Sequence, residues 1–429
     1  MVSKSITNNN ITSHQSLIVS ACISYVVLLA YGTLYPLTGW HWQLNLSTVS
    51  LALHWPKHPS SSDLVTNLVV YMPVGMLLYW SFPRTFTKRL NITLVTVIGT
   101  CTSLLLEYLQ IFLPSRVPSL VDVCLNGAGS LLGAFLAGFF QGNSKSIEKI
   151  SNLWQETFKS GPLTFVGASA VVLWALYQSM PLVPSMDMGT LKSGIKPIWY
   201  VIQDPTRINL WQIIVYALNI AALGWLYKTL LRNYYGRLTG FFIFCFGVLL
   251  YKIPVVSRQL SIEALMGLTV GILFGGILGQ IISSKRVILT LSACFIVVAF
   301  VVDGTHEQLD MAGIANKMNW IPFREQMINL AGLADIMASI WPFVALAYIA
   351  LFMKPENPFL IALIGGALVF TMTFSIEWLQ QYIPGRHPDI TDVVLPLLAF
   401  LTACWYYHLA LSKNAGDLGS LRNEKTIIH

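Results

Sequence analysis

Two stretches of the chain carry the same polar side chains at the same spacing within otherwise apolar sequence: Glu107, Gln110, Arg116 and Asp122 in one, Glu377, Gln380, Arg386 and Asp392 in the other. Aligned without a gap from Glu107 and from Glu377, the two windows share Glu, Leu, Gln, Pro, Arg, Pro and Asp, where composition alone gives about one match. A Glu and a Gln three residues apart lie on one face of a helix. Pro114 or Pro384 then ends that helix about 10 Å beyond the Glu, at ~1.5 Å per residue. If the flanking sequence spans a membrane, each Glu is submerged. An ionised acid at such depth costs about 2.5–3.5 kcal/mol even on the lenient insertion scale, so it must be neutral, paired or facing water.

Two chemistries fit this pattern. In one, the Arg offers a planar fork to a phosphate or carboxylate, the next helix adds its positive N-terminal end, and the acids accept hydrogen bonds or protons. That is a site for an anionic ligand. In the other, Glu and Arg form a buried ion pair that fixes a turn, while Ser119-x-x-Asp122 and Asp389-x-x-Asp392 are capping boxes with Pro118 or Pro388 beside them. The sequence leaves both open. No nucleophile, His dyad or metal motif accompanies the acids, so no catalytic residue can be named and neither a cofactor nor a metal is expected.

The elements that must hold these residues follow from composition. Of 429 residues, 55% are apolar and 10% charged, with a mean hydropathy of +0.63. Such values exclude a soluble globular domain and a disordered chain. Apolar runs long enough to cross about 30 Å of hydrocarbon lie near 17–36, 64–82, 90–113, 120–141, 162–181, 208–230, 237–256, 261–282, 286–303, 334–353, 357–383 and 390–411. The expected fold is an all-α polytopic membrane helix bundle of about twelve spans. The first sixteen residues are polar and lack a cleavable leader pattern, so the first run is expected to be a retained span.

Loops after the second, sixth, eighth and tenth runs carry Arg84, Lys88, Arg89, Lys228, Arg232, Arg237, Lys285, Arg286 and Lys354. With Lys145, Lys149, Lys159 and both termini, that side holds most of the basic residues and is expected to be cytoplasmic. The opposite side holds most of the acids. The net charge of +7 therefore reflects topology, and no nucleic-acid partner is expected.

The duplication extends further. Ser20-Ala21-Cys22 and Ser292-Ala293-Cys294 open spans at equivalent places, and Gly167-Ala168-Ser169 sits at a third. Ser257-Arg258 leads into Gly271 and Gly275 as Ser115-Arg116 leads into Gly129 and Gly133. We therefore expect three parallel four-helix repeats: 15–141, a degenerate middle unit at 160–282, and 286–411. An amphipathic cytoplasmic linker at 142–160 and a polar, disordered tail at 412–429 complete the chain. The middle unit has Leu249 where the others have Glu and Ala264 where they have Asp, which marks it as scaffold.

Asn67 to Pro73-x-Gly75, then Glu107-x-x-Gln110, an Arg in a Pro-rich loop, and Asp122-x-x-x-Asn126 followed by glycines resemble the VanZ-like family. The resemblance is close over 63–140 and good over 335–411, where Pro396 replaces Asn126 and Ile336, beside Asp335, replaces Asn67. It implies a bacterial inner-membrane envelope protein whose founding relative is associated with reduced susceptibility to teicoplanin-type glycopeptides. It also adds Asn126 to the candidate ligand-binding set of Glu107, Gln110, Arg116, Asp122, Glu377, Gln380, Arg386 and Asp392. The expected partner is a membrane lipid or lipid-linked envelope intermediate, taken from the outer leaflet. An enzyme acting on such a lipid, or a proton-linked transporter, stands as the alternative.

Four-residue spacing of Gly129 and Gly133, and of Gly271, Gly275 and Gly279, suggests close helix approach. Pro73, Gly75 and Pro342 suggest kinks that open space. The six cysteines, all in apolar runs, are expected to pack in the core. The loop at 37–62, with Trp40, His41, Trp42, His54, Trp55 and His58, fits an interfacial belt. Asp303, His306, Glu307 and Asp310, followed by Arg324 and Glu325, fit a solvated loop or a lid.

Overall fold

The computed structural model describes residues 18–19, 22–23, 25–27, 29–34, 40, 61–82, 86–113, 116–142, 144–182, 184–185, 187–232, 237–305, 317–324, 326 and 332–427. Ser20, Ala21, His41, Trp42, His54, Trp55, His58, Arg84, Pro114, Ser115, His306, Glu307, Asp310 and Glu325 lie outside them. Among the described residues the regular structure is helical, with no strand. Nine helices there are long and apolar enough to cross a membrane, and shorter apolar helices occupy Tyr25–Leu34 and Thr239–Tyr251. The chain is thus a multi-pass membrane protein with two compact units, dividing between Asn152 and Leu153.

The first unit contains the helical segment Tyr25–Leu34, α1 (Ser61–Ser81), α2 (Lys88–Gln110) and α3 (Leu120–Gly142). Helix α3 packs along both α1 and α2. Its contact with α1 is backbone against backbone: a Cβ on Gly133 would lie 2.0 Å from the Met72 carbonyl oxygen, and one on Gly75 would lie 2.1 Å from that of Ser130. Small residues are what allow this approach where lipid supplies no hydrophobic drive. The Tyr25 hydroxyl ties the N-terminal segment to α1 by donating to the Val70 carbonyl at 2.9 Å. Helix α4 (Ser144–Thr157) occupies the stretch expected to form the amphipathic linker and straddles the division.

The second unit contains α5 (Pro162–Ser179), α6 (Met188–Gln203), a 3-10 turn at Pro205–Arg207, α7 (Leu210–Leu230), α8 (Arg237–Tyr251), α9 (Ile262–Ile281), α10 (Lys285–Thr305), α11 (Gly332–Met353), α12 (Pro358–Gln380) and α13 (Thr391–Ile427). Helix α7 packs against both α9 and α10, α11 against α5 and α13, and α12 against α13. Trp174, Leu223, Leu226, Leu230, Phe343, Ala347 and Tyr348 form the buried centre where α5, α7 and α11 meet. Leu249 and Ala264, where the outer repeats carry acids, are fully buried in this same apolar cluster.

Three features differ from expectation. Helix α6 was not anticipated, because Lys192, Lys196 and Pro197 interrupt its apolar pattern. Asp187 caps it by accepting the N–H groups of Gly189 and Thr190, and Gly194 seats it where a Cβ would lie 2.3 Å from the Ile253 carbonyl oxygen. Helix α13 runs on to Ile427 through the tail expected to be disordered. Of the cysteines, Cys22, Cys245 and Cys404 are buried, whereas Cys101, Cys124 and Cys294 are exposed on the helix surfaces. Apolar residues can face lipid as readily as a core, so an apolar run does not by itself imply burial.

Candidate functional site

Glu377 sits buried in the last turn of α12, where a carboxylate cannot be left unsatisfied. Its Oε2 accepts the backbone N–H of Asp389 at 2.9 Å, across the turn that leads into α13. Gln380, one turn further on, donates from Nε2 to the Gly304 carbonyl at 3.2 Å, and Arg386 donates from Nη2 to the Asp303 carbonyl at 2.8 Å. Both acceptors lie in the last turn of α10, where helix carbonyls lack partners and the dipole favours a cation. Gly385, at φ +79°, allows the reversal that brings Arg386 back to them.

The expected capping box is closed differently. Asp389 accepts from the Thr391 N–H at 2.8 Å and hydroxyl at 2.6 Å, and from Asn319 Nδ2 at 3.0 Å. The Asp389 N–H goes to Glu377, and Asp392 Oδ1 accepts from the Ser339 hydroxyl on α11 at 2.7 Å. Asp389 thus caps the first N–H of α13, and Glu377 on the preceding helix takes the N–H of Asp389 itself. The segment before α11 also latches onto this turn: the Asn319 N–H donates to the Pro388 carbonyl, and the Phe323 N–H to Thr391 Oγ1, both at 2.8 Å.

In the first unit the same three contacts recur. Glu107, buried near the end of α2, accepts the Ser119 N–H through Oε2 at 2.9 Å. Gln110 donates to the Thr33 carbonyl at 3.2 Å, and Arg116 to the Gly32 carbonyl at 3.1 Å. Asp122 lies half-buried in the first turn of α3. One turn on, Asn126 donates from Nδ2 to the Ser103 hydroxyl at 2.8 Å, and its buried Oδ1 has no donor among the described residues.

Arg258 keeps part of this arrangement in the middle stretch. It donates from Nε to the Met180 carbonyl at 2.7 Å and from Nη2 to the Tyr177 carbonyl at 3.0 Å, at the end of α5. Glu263 instead accepts the Asn209 N–H at 3.2 Å, at the start of α7. In all three stretches the Arg staples the exit of an earlier helix through its carbonyls. Among the described residues no ion pair joins Glu107 to Arg116 or Glu377 to Arg386. Side-chain to backbone bonds from Glu, Gln and Arg are what hold both turns at hydrogen-bond distance.

The second unit adds a cavity of about 380 Å³. Asp303, Asp335, Glu377 and Asp392 line it, with Arg386 and His387 as the basic contribution and Tyr177, Asn219, Ser339 and Gln380 as neutral polar groups. Pro342, inside the continuous helix α11, borders it. The expected residues Glu377, Gln380, Arg386 and Asp392 thus share one space. Asp303 and Asp335 were not placed in the site from sequence. Asp303 belongs to α10 rather than to a loop, and Asp335, an acid in the first turn of an apolar helix, carried the signal that could have flagged it.

Residues 22–141 match the VanZ/LLP1 family model. The VanZ/LLP1 match spans α1, α2 and nearly all of α3, and so includes Glu107, Gln110, Arg116, Asp122 and Asn126. It covers the 63–140 stretch whose motifs carried the resemblance, and with the spanning helices it makes this a membrane protein with a VanZ-type segment. No curated protein and no solved structure matches the chain.

Proposed function

We propose that this chain is a cell-envelope membrane protein that binds an amphiphile with a zwitterionic headgroup in the cavity of its second unit. The observation that carries the reading is the lining: four carboxyl groups against one guanidinium and one imidazole inside an apolar bundle. The purely anionic ligand expected from the Arg residues fits this balance poorly. An ammonium group fits the acids, and a phosphate or carboxylate on the same headgroup fits Arg386. Lipids and lipid-linked envelope intermediates combine such groups with the apolar tails that a membrane-embedded site requires. A role in the bacterial inner membrane, and any effect on glycopeptide susceptibility, enter through the VanZ/LLP1 likeness and form part of this proposal.

The duplicated Glu, Gln and Arg contacts support the accompanying proposal that 15–141 and 286–411 are repeats of one design, with 160–282 as a degenerate copy. Proton-linked transport is a second reading, favoured by the cluster of acids around one cavity. Native mass spectrometry of the purified chain and of an Asp335→Asn, Asp392→Asn variant tests the first reading. The wild type should retain a discrete amine-bearing lipid that the variant releases. Identical lipid profiles from two folded proteins would remove the cavity from consideration as a lipid site. Uptake into proteoliposomes driven by a pH gradient, and lost in the same variant, would favour transport instead.

A further inference from the structure

At the other end of the second unit lies a cluster that the proposed ligand site does not use. Lys159 follows α4, Lys228 and Arg232 sit at and just beyond the end of α7, and Lys285 begins α10. Together with Thr229 and Ser283 they line a pocket of about 220 Å³, and among the described residues no Asp or Glu lines it. Two of the ammonium groups are held in place by backbone carbonyls: Lys159 by that of Thr229, and Lys228 by that of Gly279 at 3.2 Å. The loop is fixed as well, since the Lys159 N–H donates to the Leu230 carbonyl at 2.9 Å and the Arg232 N–H to the Thr157 carbonyl at 3.0 Å. Burial and the nearby Lys285 charge hold Lys159 below the usual lysine range. Positive charges crowded in this way are relieved by an anion.

A second cavity, of about 190 Å³, shares Lys228 with the first. It is an apolar groove on the α7, α8 and α9 surfaces, lined by Trp225, Phe242, Gly271, Gly275, Gly276 and Gly279. Gly271 and Gly275 let α9 approach α7, while Gly276 faces open space, where a Cβ would meet nothing within 4 Å. A cationic pocket that meets an apolar groove at Lys228 pairs a headgroup site with room for an acyl chain, at the end of the bundle that charge asymmetry would place in the cytoplasmic leaflet.

We propose that Lys159, Lys228, Arg232 and Lys285 bind the phosphate of an anionic phospholipid, with one acyl chain laid in the groove beside Gly276. The phosphate chemistry could equally be supplied by a free phosphate, and the groove separates the two sources. The full-length protein, delipidated in detergent, is titrated by native mass spectrometry with phosphatidylglycerol, with phosphatidylcholine as control, and with inorganic phosphate as competitor. Three forms are compared: wild type, a Lys285→Gln, Arg232→Gln variant whose changes fall on exposed side chains, and Gly276→Phe, which fills the groove. The wild type should hold one phosphatidylglycerol at least tenfold more tightly than phosphatidylcholine, and both variants should lose most of that preference. Inorganic phosphate that competes equally well, together with an unaffected Gly276→Phe, would overturn the lipid assignment in favour of a free phosphate. Equal phosphatidylglycerol affinity in the wild type and the Lys285→Gln, Arg232→Gln variant would overturn the site altogether.

Discussion

Glu377 serves two demands that separate under substitution. Its Oε2 caps the Asp389 N–H, which any acceptor of the same shape can do, and its carboxyl faces the cavity, where charge or a proton matters. Glu377→Ala leaves a buried N–H without a partner and should cost about 1–3 kcal/mol. Glu377→Gln keeps a carbonyl oxygen in place and should fall within about 1 kcal/mol of wild type. Thermal unfolding in detergent distinguishes them, and equal losses in both variants would mean that the charge itself holds the turn. Lipid release from a well-folded Glu377→Gln would then be chemistry rather than collapse. The residues Glu107, Gln110 and Arg116, with Glu377, Gln380 and Arg386, were legible because their spacing repeats. Their partners were not, since those are backbone groups: Gly32 and Asp303 offer carbonyls, which no side-chain pattern announces.

Helix-to-helix contact follows the glycines. Gly133→Ala would drive a methyl against the Met72 carbonyl, a backbone atom that cannot turn aside, and should destabilise the first unit by about 1–3 kcal/mol. Gly247→Ala on α8 meets nothing within 4 Å and should be neutral or stabilising by up to about 1 kcal/mol. Paired melting curves check this, and a Gly133→Ala variant as stable as Gly247→Ala would mean that α1 and α3 are not in backbone contact. The four-residue glycine spacing made this packing readable in advance. Helix α6 escaped because its stability comes from an Asp187 cap and a seat on the Ile253 carbonyl rather than from an apolar run. Asp335 stands out as an acid in the first turn of an apolar helix, but its place at the cavity depends on α11 lying beside α12 and α13, which is tertiary information.

For the whole molecule, the distribution of charge is the testable property. Basic loops after α1, α7, α9 and α11 face one way if the positive-inside rule governs insertion. Alkaline phosphatase fused after Ile427 should therefore be inactive in a bacterial host, and the same reporter inserted in the 306–316 segment should be active. The opposite pattern would invert both proposed sites across the membrane. The all-helical, multi-pass architecture was legible from hydropathy because run length reports span length directly. Division into two compact units was not, since nothing in apolar periodicity distinguishes a helix facing lipid from one facing another helix.

The cap that Glu377 provides has a consequence for biogenesis. Donor and acceptor are only twelve residues apart, as are Glu107 and Ser119, so each closes within a single helical hairpin. A hairpin that satisfies its own turn before meeting any other helix can enter the bilayer as a pair, its acid already partnered when it leaves the translocation machinery. The most costly side chain of each hairpin would then be its own chaperone during insertion, and substitutions at Glu107 or Glu377 would reduce the amount of protein that reaches the membrane as well as what it does there.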